Sequence, residues 1–118
     1  MLYTASSSAV KKSEKQMKCY CIMRNCGNDE IAPNQYDLDL YASGELTWRG
    51  FMINYQTMLR QPKAYEWMRR VSMEAAHEDI VLVDSEEEQE NSLRVILAEM
   101  MASMFGGQMN FRYLGELR

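Results

Sequence analysis

Residues 36–53, YDLDLYASGELTWRGFMI, alternate Asp with Leu, pass a Ser-Gly pair and continue into a second apolar run. Alternation of this kind places successive side chains on opposite faces of a strand, so the segment reads as a β-hairpin on which the fold class rests. A three-residue loop, Ala42-Ser43-Gly44, pairs Leu40 with Leu46, Leu38 with Trp48 and Asp37 with Arg49, and puts Gly44 where a positive φ is wanted. A two-residue loop would instead set Asp39 opposite Trp48 and mix the faces.

Upstream, Met17, Cys19, Cys21 and Met23 alternate with Lys18, Tyr20, Ile22 and Arg24, which predicts a strand. Downstream, Ala64, Met68, Val71 and Ala75 share one helical stripe, and Pro62 suits a first helical turn because it has no amide hydrogen to leave unpaired. The run IVLV at 80–83 reads as a buried strand inside the sheet. Ser85 and Glu88 have capping-box spacing ahead of a helix through SLRVILAEMMASMF, which Gly106-Gly107 should end. QMNFRYL, 108–114, alternates again and predicts a last strand.

The expected architecture is therefore α+β: a mixed sheet in the order β-β-β-α-β-α-β, with two helices packed on one face. Residues 1–16 are rich in Ser and Lys without a sustained period and read as a mobile tail. Residues 17–118 form a single domain, a length sufficient for one core without a compulsory metal or disulfide.

The formal charge is −4 and unevenly spread: residues 1–27 hold five Lys or Arg against Glu14, whereas residues 78–90 hold seven acids and no base. An acidic balance argues against general nucleic-acid binding, which Lys and Arg supply through phosphate contacts. The nearest basic feature is Arg60, Lys63, Arg69 and Arg70 beside Tyr65 and Trp67, an alternative nucleic-acid surface. No apolar run approaches the roughly 20 residues of a membrane span, and the three cysteines lack a disulfide-framework spacing, so a cytoplasmic protein is expected.

Cys19, Cys21 and Cys26, with His77 as the sole histidine, could supply a zinc set or a thiol-dependent active site. Their spacing is unlike a CxxC knuckle, and small buried hydrophobes account for Cys19 and Cys21, so no metal and no cofactor are expected. Phosphate loops, GxSxG and HExxH are absent, which argues against an enzyme.

What remains is a non-catalytic interaction module, a small acidic inhibitor or adaptor occupying a protein partner's surface, of the kind phages direct at host machinery. The contact surface would combine Glu86, Glu87, Glu88 and Glu90 with Val95, Met101 and Phe105, because the 92–105 helix is apolar nearly all round. The same face would suit a homodimer.

Overall fold

Residues 36–53 form two helices in the computed structural model, which describes residues 1–12, 17–87 and 90–117. Helix α2 spans Gln35–Ala42 and α3 spans Trp48–Leu59. Each begins on a side-chain cap: Asn34 Oδ1 accepts from Tyr36 N at 2.8 Å, and Thr47 Oγ1 accepts from Gly50 N at 3.1 Å. The strand pairings Asp37 with Arg49 and Leu38 with Trp48 therefore do not exist. Gly44 does take a positive φ, +83°, but as the stop of α2, where Gly44 N donates to Tyr41 O and Glu45 N to Leu40 O.

The rest of the chain contributes β1 (Leu2–Ser6), α1 (Ser7–Lys12), β2 (Lys18–Cys21), a 3₁₀ turn (Asp29–Ile31), α4 (Pro62–Ala75), β3 (Ile80–Asp84), α5 (Leu93–Met101), a π-helical turn (Ala102–Gly106), α6 (Gly107–Met109) and β4 (Tyr113–Glu116). The helix from Pro62 and the strand at IVLV lie where the sequence places them. The sheet, in contrast, is wholly parallel, with spatial order β2-β3-β1-β4. β3 lies between β2 and β1, and all five of its residues are buried.

Residues 2–6 are thus no tail but an inner strand, with Leu2 paired to Ile80 and to Tyr113. Leu2, Thr4, Ala5 and Ser6 are all buried. A strand covered on both faces needs no polar alternation, and one this short offers no period to detect. Of the expected tail, residues 13–16 lie outside the described residues.

The two sheet faces are unequal. Leu2, Ile80 and Leu82 join Phe51, Tyr55, Leu59, Trp67, Met68, Val71, Leu97 and Met101 in the main core under α3, α4 and α5. On the opposite face Ala5, Val81 and Val83 are packed by Ala9 and Val10 of the short α1, with Tyr3, Met17 and Leu117. Cys19 and Cys21 point to this thinner side of an edge strand, so Cys19 is exposed rather than a core residue. Tyr20 turns instead toward the main core, as does Ile22 just beyond the strand, the latter fully buried.

At its far end the α5 helix differs from expectation as well. It starts at Leu93 with Ser92 as N-cap, seven residues after the Ser85 expected to cap it. The chain stays helical through Gly106-Gly107 and stops at Asn110, φ +61°.

Candidate functional site

In a parallel sheet, adjacent strands whose outgoing connections leave on opposite faces open a crevice at their carboxyl ends. β1 exits into α1 on the thin face, and β3 exits toward α5 on the core face, so the adjacent pair β1 and β3 forms such a switch point. The polar groups at this end of the sheet come from the strands themselves and from α5, whereas the cleft beside them is lined by the segments that follow β2 and β3.

The first feature is a buried charge cluster. Arg94, fully buried, donates from Nη1 to Asp84 Oδ1 at 2.5 Å and from Nη2 to Glu116 Oε1 at 2.6 Å. Its Nε also donates to both Glu116 oxygens at 3.1 Å, and Nη1 to Glu86 O at 2.5 Å. Thr4 Oγ1 donates to Glu116 and shares a 2.6 Å hydrogen bond with the Tyr113 hydroxyl. Burial would lower the Arg94 pKa, but bonding to Glu116 and Asp84 holds it above its ordinary value. Burial likewise raises the Tyr113 hydroxyl. These groups are spent on one another.

Asp84 has a second task. Its Oδ2 accepts from Arg94 N at 3.0 Å, in the first turn of α5, and its Oδ1 accepts from Glu86 N at 3.0 Å. The carboxylate at the strand end thus occupies the position at a helix N-terminus where an external anion would otherwise be drawn.

The second feature is a cleft of about 530 Å³ beside this cluster. One wall is aromatic: Trp48 stacks on Phe51 with centroids 5.5 Å apart and planes at 19°, and Tyr41 lies 5.5 Å from Trp48 and 5.7 Å from Phe51. Phe51 is buried at the base, Trp48 is half-buried and Tyr41 is exposed. The other wall is polar, made by Asp84, Ser85 and Glu86 after β3 and by Asn91 and Ser92 ahead of α5. Met23 and Arg24 from the loop after β2, with Asp39 of α2, complete the rim. Arg24 Nη2 is fastened to Pro33 O at 2.6 Å, and Asp39 Oδ1 accepts from Gln35 Nε2 at 3.0 Å.

The sequence-derived candidates are scattered around this centre. Glu86 lines the cleft, Glu87 and Glu90 are exposed near it, and Glu88 lies outside the described residues. Glu87 accepts from Ser8 Oγ at 2.8 and 2.9 Å. Met101 and Phe105 are buried in the main core and Val95 is half-buried, so an exposed apolar contact face along this helix is not present. The chain's own α3 and α4 cover it, and the hairpin reading had removed the first of these from the core.

Cys21 and Cys26 are joined by a disulfide and Cys19 alone is free; burial pushes its thiol above the usual range. The three cysteines therefore do not gather as a set, His77 is exposed past the end of α4, and among the described residues no three His, Cys, Asp or Glu side chains are placed to hold a metal ion. Of the basic group, Arg69 is paired with Glu66 at 2.5 Å, while Arg60, Lys63 and Arg70 are exposed. Trp67 is buried, donating to Asn28 Oδ1 at 3.1 Å, and offers no face to a base. Among the described residues no helix is long and apolar enough to cross a membrane.

Residues 4–101 match the model of a domain of unknown function, DUF488. The chain belongs to the DUF488 family. No curated protein and no solved structure gives a significant match. Every residue lining the cleft falls inside the DUF488 span, whereas Tyr113 and Glu116 of the charge cluster lie beyond it.

Sequence reading missed Trp48, Tyr41 and Arg94 as members of this centre. Arg94 carried a usable signal: a lone cation inside the apolar run SLRVILAEMM demands buried carboxylates.

Proposed function

We propose that this domain is a non-catalytic binding module whose cleft takes a small planar molecule, uncharged or cationic. The observation that carries this reading is the pairing of an open aromatic wall, Trp48 and Tyr41, with a polar wall rich in carboxylates. Aromatic faces attract flat rings and cations, and Asp39 and Glu86 add favourable charge for the latter. Anions are disfavoured, since Asp84 already fills the α5 N-terminus. The acidic recognition surface expected from the sequence narrows here to the cleft rim.

Asp84 is tied to three donors and so is committed to structure, which supports binding without turnover. Three probes of one shape and different charge test the proposal: benzamidine, benzamide and benzoate, followed by amide and indole N–H chemical shifts. The expected order of affinity is benzamidine, then benzamide, then benzoate, with the Trp48 indole signal moving and the Trp67 signal still. Equal binding of benzoate, or shifts that avoid Trp48, would refute it.

A further inference from the structure

The disulfide Cys21–Cys26 closes the loop that carries Met23 and Arg24 to the cleft rim. This loop holds two left-handed residues within three positions, Asn25 at φ +68° and Gly27 at φ +94°. Glycine and asparagine are the residues that enter this conformation most readily, so the tight turn is built into the loop's own sequence.

The flanks of the loop are secured without the disulfide. Ile22 is fully buried and donates its N–H to Val83 O at 3.0 Å. Asn28 Nδ2 donates to Cys21 O at 2.9 Å, and Asn28 Oδ1 accepts from Trp67. Asn25 N is bonded to Asp29 Oδ1 at 2.9 Å. Between these anchors Met23, Arg24 and Cys26 are outside the core, with Cys26 exposed and its bonded partner Cys21 only half-buried. A cross-link closing so short a loop removes less chain entropy than one closing a long loop, and the anchored flanks are expected to hold when it opens. Opening it would act locally.

We propose that Cys21–Cys26 is a reversible thiol–disulfide site whose state sets the position of the Met23–Arg24 rim; its coupling to ligand rests on the cleft reading above. The reductant is a thiol or dithiol. A thiolate attacks the exposed Cys26 sulfur, the Cys21 sulfur leaves and takes a proton, and a second thiol releases Cys26 as S–H. Two electrons and two protons enter the protein, and the reductant departs as its own disulfide. Cys19 is the built-in reference, an exposed thiol that labels in either state.

The test uses the full chain prepared without reductant, alkylated and weighed before and after treatment with dithiothreitol under native conditions. One label should become three with the circular dichroism spectrum unchanged. Amide exchange at residues 23–27 should rise by roughly tenfold or more while β3 keeps its protection. Benzamidine affinity should fall, Cys26→Ser should show the weaker affinity with or without dithiothreitol, and Cys19→Ser should respond like the parent. A disulfide reduced only when the whole chain unfolds, three labels before reduction, or reduction with no change at 23–27 would overturn the proposal. A loop that loosens in a protein binding benzamidine in neither state would uphold the thiol site and overturn the cleft reading instead.

Discussion

Two polar regions share the carboxyl end of the sheet, and they differ in what their polar groups are bonded to. Over β1 and β4, Arg94, Asp84, Glu116, Thr4 and Tyr113 bond one another, with Arg94, Asp84 and Thr4 buried and Glu116 and Tyr113 half-buried at the margin. Over β2 and β3, the carboxylates of Asp39 and Glu86 and the rings of Trp48 and Tyr41 border an opening of about 530 Å³. Charge buried against its own partners fixes a fold; exposed side chains that border a void can reach a ligand as well. The neighbouring centres also share a residue, since Asp84 belongs to both.

The largest expected effect breaks the paired region. Arg94→Met removes the cation between the buried Asp84 and the half-buried Glu116 and should cost about 3 kcal/mol in urea unfolding, because the uncompensated acids remain. Adding Asp84→Asn and Glu116→Gln to that variant should recover part of the loss. If Arg94→Met is neutral, the cluster is not the structural centre described above.

Next in size is Trp48→Ala, directed at the open region. Half-burial should limit its stability cost to about 2 kcal/mol, below that of a fully buried aromatic ring. It should also reduce benzamidine affinity roughly tenfold, equivalent to about 1.4 kcal/mol. A smaller change sharpens the same contrast: Asp39→Asn should weaken benzamidine but leave benzamide unaltered in a paired titration, with almost no shift in unfolding midpoint.

The smallest expected effect concerns the edge of the sheet. Lys18 Nζ and the Tyr20 hydroxyl both bond Glu74, tying β2 to α4. Its hydrogen bond to Glu74 pushes the Lys18 pKa up to about 12, while burial, which would raise the Glu74 carboxyl, is outweighed by hydrogen bonds that hold it below its ordinary value. A depressed carboxylate stabilises the fold above its unfolded value of 4.5, and that contribution disappears as pH falls through the lower folded value. A raised lysine acts below 10.5, and its contribution disappears as pH rises through about 12. Glu74→Gln should flatten stability against pH on the acid side, as read from denaturation midpoints. An unchanged acid limb would place the protonation elsewhere.

The legibility of these regions in the sequence follows the same division. α4 was readable because Ala64, Met68, Val71 and Ala75 form an unbroken apolar stripe, and β3 because a strand buried on both faces is apolar throughout. α2 was not, since none of its residues is buried and its Leu38 and Leu40 alternate with aspartates, leaving period two as the only visible signal. The decisive cues were the caps Asn34 and Thr47, which are local and easily overlooked beside a strong alternation. That one misreading removed α3 from the core, left the helix through Met101 and Phe105 without a cover, and hid the aromatic wall. In the charge cluster, Asp84 and Glu116 come together only through the parallel pairing of β1 with β3 and β4, a tertiary fact with no sequential trace.

The placement of β1 between β3 and β4 also bears on how the chain finds its fold. Residues 2–6 gain their ladder partners from 80–84 and 113–116, and β3 meets β2 only across the whole of α2, α3 and α4. Almost every strand contact is therefore distant along the chain, and the loop-closure entropy must be spent before any pairing offsets it. Helices α3 and α4 draw on local contacts, whereas the sheet depends on distant ones. Bringing residues 2–6 into the slot between two strands that are themselves far apart in sequence is a costly closure, and this domain should refold more slowly than a helical bundle of the same length.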